Sequence, residues 1–188
     1  MALSRRYGVK ALRESGNEPL LWTQPRRIKY DYNLRAGDEV VATLRWGNWP
    51  SQAAAAEAAD GRWTFKRAGL LQQRMEIQQA DTEAQAAVFQ PGKRGGTLEL
   101  LDGRTFRWQA TKRWHAEWAW IGQDNEALIR FTTQGAFWKR KNLVELQPGA
   151  QALPECSLLV LFGWYLLVLT ASDAALIASV SASVAVVG

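Results

Sequence analysis

Between Glu155 and Asp173 the chain runs from Cys156 to Ser172 without a charged residue, and its centre reads LLVLFGWYLLVL, residues 158 to 169. Pro154 suits a first helical turn, where its missing N–H costs nothing, and Glu155 complements the positive end of a helix dipole. The helix predicted over 155–170 is apolar all round, so protein or lipid must surround it on every side. That demand constrains the rest of the fold more than any other feature.

Lipid is a poor fit for this stretch. Seventeen helical residues rise about 26 Å, short of the roughly 30 Å hydrocarbon core of a bilayer. Lengthening the span with the apolar tail would set Asp173 deep in lipid, at about 2.5–3.5 kcal/mol. Trp164 and Tyr165 stand mid-segment, whereas interfacial aromatics belong at the ends. Lys139, Arg140 and Lys141 upstream are what a C-terminally membrane-anchored β-domain would carry, so that arrangement stands as an alternative.

The upstream sequence supplies a protein enclosure. From about Leu20 the pattern has period two: Val40, Ala42, Leu44 and Trp46 alternate with Val41, Thr43 and Arg45. Similar alternation marks Trp63 and Phe65, Met75 and Ile77, Leu98 and Leu100, Phe106 and Trp108, Trp118 and Trp120, Ile129 and Phe131, and Val144 and Leu146. These are strands with one buried and one wetted face. Turn signals separate them: RAGD, ADGR, QPGKRGG, LDGR and GQDN. SQAAAAEAA, 51–59, is helical by propensity but has no apolar stripe, and is assigned to a loop or a short turn. ADGRWTFKR and LDGRTFRWQ read as two similar hairpins. A sheet of about twelve strands closes into a barrel to remove its edges, leaving an interior too wide for its own side chains. An apolar helix fills it, with Leu159, Phe162, Trp164, Leu166 and Leu167 buried among inward-facing aromatics. The predicted fold is therefore mainly β, a closed antiparallel barrel enclosing the C-terminal helix.

DGRWTFKR at 60–67, LDGRTFRW at 101–108 and LPECSLLVLFGWYLLVL at 153–169 resemble the tubby C-terminal-like superfamily, nearest its phospholipid scramblase-like and LURP-one-related branches and an uncharacterised bacterial-type member. The resemblance covers roughly residues 20 to 170. It implies a barrel of about twelve strands threaded by a central helix, and a basic surface that binds membrane phosphoinositides. Scramblase-like proteins carry an acidic calcium-binding segment before the helix. Here LQPGAQALPEC holds only Glu155, so calcium dependence does not carry over. The domain plan is a polar N-terminal extension, 1–18, one barrel domain, 19–171, and an apolar tail from 172 to 188.

Little in the sequence announces a reaction. His115 is the one histidine and shares a strand face with Glu117; a hydrolase built on that pair lacks a nucleophile at useful spacing. Cys156 reads as a core residue, and as the one cysteine it excludes an internal disulfide and fits a reducing compartment. Neither a metal set nor a cofactor motif is present, and QPGKRGG lacks the strand–GxxxxGK[ST]–helix order of a phosphate loop. The expectation is a non-enzymatic protein without cofactor.

Charge supplies the partner. The net charge is +5, and the basic residues recur in clusters: Arg26, Arg27 and Lys29; Lys66 and Arg67; Lys93 and Arg94; Lys112 and Arg113; and Lys139, Arg140 and Lys141. The last cluster follows Phe137 and Trp138. Cations beside aromatics suit an anionic headgroup layer, so Lys112, Arg113, Phe137, Trp138, Lys139, Arg140 and Lys141 are the candidate ligand-binding residues. The partner expected is anionic phospholipid or an apolar ligand at a membrane surface, with the protein cytoplasmic and peripheral to the inner face of the membrane. RTFRWQATKRWHAEWAW also interleaves cations with aromatics, so a barrel binding single-stranded nucleic acid is the second reading.

Overall fold

The computed structural model describes residues 11–14, 18–25, 31–47, 53–68, 74–111, 117–134 and 141–185. Twelve strands run in chain order: β1 (Leu20–Thr23), β2 (Asp31–Ala36), β3 (Glu39–Trp46), β4 (Ala54–Ala58), β5 (Gly61–Ala68), β6 (Arg74–Gln79), β7 (Gln85–Gly92), β8 (Gly95–Leu100), β9 (Thr105–Ala110), β10 (Glu117–Ile121), β11 (Ala127–Gln134) and β12 (Lys141–Leu146). Each pairs antiparallel with its sequence neighbours, and β1 pairs with β12, Leu20 opposite Val144 and Trp22 opposite Asn142. The barrel is closed, which leaves no edge strand to pair with another chain. A short helix, α1 (Pro148–Gln151), precedes the long helix α2 (Cys156–Ala185).

The expected mainly-β barrel around an apolar helix is what the chain forms. From Cys156 to Leu169 every α2 residue but Leu167 is buried, and Leu167 packs partly buried against the core. Leu159 and Phe162 are fully enclosed, Trp164 and Leu166 nearly so. Inward side chains of the strands meet the helix all round. Phe65 and Phe89 set their edges on Phe162, with centroids at 5.1 and 5.4 Å. Trp120 donates its indole N–H to the Leu159 carbonyl at 2.8 Å. Gly163 makes that approach possible, because a Cβ there would stand 2.5 Å from Phe131 Cζ and 2.9 Å from Trp120 Nε1. Fully burying one such apolar side chain contributes about 1.5–3 kcal/mol, so α2 is integral to the fold's stability.

Four expectations need correction. The alanine-rich 51–59 segment contains a strand, β4, and not a loop or helical turn. Ala54, Ala56 and Ala58 point inward and are buried, opposite Trp46, Leu44 and Ala42 of β3. Helix propensity is a weak prior beside two ladders of hydrogen bonds, and the small side chains form a low wall beside α2, which lies against β3, β4 and β5. The helix does not stop at 170 but continues to Ala185, so the tail from 172 is helical through that residue. Thr170 and Ser172 donate their hydroxyls back to the carbonyls of Leu166 and Val168, at 2.9 and 3.0 Å, and so continue the helix without loose polar groups. The polar N-terminal extension also reaches the core. Leu12–Glu14 forms a 3-10 turn, and Leu12 is fully buried beside α1 and the start of α2. Finally, Val41 and Thr43, which alternation placed on a wetted face, are buried.

The two DGR segments do occupy equivalent places. Residues 60–67 are the turn and second strand of the β4–β5 hairpin, and 101–108 serve the β8–β9 hairpin in the same way. Gly103 (φ 85°), Gly37 (φ 54°) and Asn125 (φ 67°) supply the left-handed turn positions.

Candidate functional site

Strict up-and-down connectivity sorts the inter-strand connections onto two ends of the barrel. At the proximal end, where α2 begins, lie the connections 37–38, 59–60, 80–84, 101–104, 122–126 and 147–155. They contain Asp38, Asp60, Asp81, Glu83, Asp102, Asp124, Glu126 and Glu155, against the single cation Arg104. At the distal end, where α2 leaves the barrel, the connections are 24–30, 47–53, 69–73, 93–94, 111–116 and 135–140. Their sequence contains Arg26, Arg27, Lys29, Lys93, Arg94, Lys112, Arg113, Lys139 and Arg140, and not one carboxylate. The same segments hold Tyr30, Trp49, Trp114, Phe137 and Trp138.

The proximal end is held by ion pairs. Arg104 binds Asp102 at 2.7 Å and also both carboxylate oxygens of Glu155, one at 3.1 Å, which ties the β8–β9 turn to the start of α2. The backbone N–H and guanidinium of Arg104 hold the Asp102 carboxyl below its ordinary value, and the Glu155 and Asp102 carboxylates push the Arg104 guanidinium up. Cys156, fully buried at this end, has its thiol pushed up to about 12 by burial first and then by the Asp60 charge. Cys156 is thus enclosed among the core residues at the start of α2.

At the distal end Lys93 and Arg94 are exposed on the β7–β8 turn. Arg67, on the inward face of β5, reaches Asp173 of α2 at 2.6 Å, an ion pair at the lip of the barrel where the helix emerges. Below that lip lies a set of aromatic contacts. Trp22 stacks on Trp164 with centroids at 5.3 Å, Tyr32 meets Trp164 edge-on at 5.6 Å, and Trp46 stacks on Tyr165 at 5.4 Å. Burial raises the Tyr165 phenol well above its usual value, an effect that Arg67 partly offsets. Trp22 Nε1, Trp164 Nε1 and Asn142 Oδ1 are buried polar atoms with no hydrogen-bond partner among the described residues. All three belong to residues on or facing the distal ends of β1 and β12.

Of the residues picked out from sequence, Lys112, Arg113, Phe137, Trp138, Lys139 and Arg140 lie outside the described residues, as does His115. Lys141 opens β12 opposite Gln134, its side chain likewise outside. The strand ends that flank these clusters are adjacent: β9 and β10 bracket one, β11 and β12 the other, and β10 pairs with β11. Glu117 accepts a hydrogen bond from the Thr111 hydroxyl at 2.7 Å. Trp108 and Trp120, from the aromatic–cation stretch, face the core, and Trp118 stacks on Trp108. Among the described residues no three His, Cys, Asp or Glu side chains converge as metal ligands. Sequence reasoning overlooked Arg67 and Asp173 as a pair, because 106 residues separate them. It also overlooked the division of charge between the ends, which needs only the parity of strand connections once the barrel is known to be up-and-down.

The fold is a closed twelve-stranded antiparallel barrel around an apolar helix, with carboxylates in the connections at one end and, among the described residues, the exposed cations Lys93 and Arg94 in a turn at the other. Comparison with protein-family models, with curated proteins and with solved structures yields no match to this chain.

Proposed function

We propose that this chain is a non-enzymatic, tubby-like barrel that docks on anionic phospholipid through its distal end. The observation that carries the proposal is the segregation of charge: carboxylates in the proximal connections, cations alone in the distal ones. Each Lys or Arg near an anionic bilayer contributes about 1 kcal/mol, and Trp and Tyr favour the headgroup layer. The distal connections add no carboxylate of their own, and of the acidic groups beside them Asp173 is paired with Arg67. Anionic lipid on the cytoplasmic leaflet suits a protein peripheral to the inner face of the membrane, and the resemblance to scramblase-like and LURP-one-related sequences supports the same ligand class.

Co-sedimentation with phosphatidylcholine vesicles, with and without phosphatidylglycerol, tests this. Binding should require the anionic lipid, fall as salt rises, and weaken in a Lys93→Glu/Arg94→Glu variant that keeps its thermal transition. Equal pelleting on both vesicle types, or none on either, removes the proposal. Single-stranded nucleic acid offers a polyanion to the same end. The inward placement of Trp108 and Trp120 takes two stacking platforms away from that reading, and salt-sensitive binding of an oligonucleotide without vesicle binding would reverse the preference.

A further inference from the structure

We infer that the part of α2 beyond Asp173 is a peg that enters one leaflet of the anionic bilayer on which the distal end docks. The inference rests on the membrane-surface reading above and adds the mode of attachment.

The helix changes character at the lip. Up to Leu169 it belongs to the barrel core, Thr170 is exposed, and Asp173 is tied to Arg67. From there α2 continues as helix through Ala185, twelve residues without a charge, and the sequence AALIASVSASVAVVG stays uncharged to Gly188. Twelve residues at 1.5 Å each extend about 18 Å, close to the roughly 15 Å depth of one hydrocarbon leaflet and well short of the whole bilayer. A helix satisfies its own backbone groups, the condition for entering hydrocarbon.

Charge sets the direction. The helix leaves the barrel at the end whose connecting sequences carry cations and no carboxylate, with Lys93 and Arg94 exposed on the β7–β8 turn there, a chemistry that matches anionic headgroups. Arg67 neutralises Asp173 at the root, where a bare carboxylate would oppose approach to that surface. Had the same helix emerged at the proximal end, eight carboxylates would have stood around it.

The test uses the full chain with a single introduced thiol, since Cys156 is enclosed and leaves the unsubstituted protein unlabelled as a blank. Val180→Cys places an environment-sensitive fluorophore seven residues past Asp173, and Gln123→Cys places it on the proximal end. Vesicles containing phosphatidylglycerol should shift the Val180→Cys emission to the blue and allow quenching by lipids brominated on the acyl chain. Gln123→Cys should not respond. Ser181→Asp should weaken vesicle binding roughly 100-fold, the cost of a carboxylate in hydrocarbon, while leaving the barrel's thermal transition in place. If vesicles pellet the protein but the Val180→Cys emission stays that of water, the peg is overturned and surface docking stands. If anionic vesicles do not pellet the unsubstituted chain, the docking proposal itself has failed. A blue shift without vesicles that grows with protein concentration would show the segment seated on a second copy, and would also overturn the peg.

Discussion

Gly163→Ala tests the fit between helix and barrel with a single methyl group. In an ordinary helix interior the change is favourable, by about 1 kcal/mol. Here the added Cβ would lie 2.5 Å from Phe131 Cζ and 2.9 Å from Trp120 Nε1. Both rings are fully buried or nearly so, and Trp120 is fixed by its 2.8 Å bond to the Leu159 carbonyl. Forcing extra volume into such packing costs about 1–3 kcal/mol, and losing the indole hydrogen bond adds about 0.5–1.5. The balance is a net loss of about 1–3 kcal/mol, which for a chain of this length lowers Tm by about 2–12 °C. Thermal unfolding followed by circular dichroism, with urea unfolding at 25 °C, reads it directly. A double-mutant cycle sharpens the attribution: Phe131→Leu removes the ring edge that the methyl would strike, so the pair should lose less than the sum of the singles, by about 0.5 kcal/mol or more. A Tm for Gly163→Ala equal to or above the parent's would refute the reasoning, because helix propensity would then have won.

Deleting residues 155–188 should leave an aggregating or unfolded product, since the emptied barrel exposes its aromatic lining; a cooperative thermal transition like that of the full chain would contradict this. Cys156 should resist thiol reagents in the native state and react at a rate set by unfolding, as followed by mass spectrometry with and without urea. Because its folded pKa is raised, the unfolded thiol ionises first as pH climbs, so this group lowers stability between about pH 9 and 12; Cys156→Ala should flatten that alkaline slope. The Asp102 carboxyl is depressed in the fold, so its contribution is present above its ordinary value near 3.8 and disappears as pH falls through the lower folded value. Asp102→Asn should therefore be less stable than the parent at neutral pH, with the gap closing in strong acid.

Much of the fold was legible because its signals are local and redundant. Period two with Gly-bearing turns marked eight of the strands, β3, β5, β6 and β8 to β12, and a helix without a polar face called for enclosure. β4 was not legible: AAAEA has no alternation of polarity to read, and only the neighbours Leu44 and Phe65, with α2 behind them, make it a strand. Leu12 was hidden in the same way, one apolar residue in a polar segment. The candidate site divides likewise. Its basic clusters are visible in the sequence one by one, but the residues chosen there, at 112–113 and 137–141, were chosen for composition.

The sequence by itself determined that α2 must be wrapped and that strands would do the wrapping, because an apolar helix surface and alternating strand faces are properties of adjacent residues. Three things only the tertiary structure decided. Gly163 matters because Phe131 and Trp120 arrive from strands some 30 to 40 residues earlier. Asp173 finds an ion-pair partner in Arg67, 106 residues earlier in the chain, at the lip of the barrel. The carboxylates of one set of connections and the cations of the other fall at opposite ends because an up-and-down barrel returns alternate connections to the same end, so charges scattered along the chain are grouped by topology.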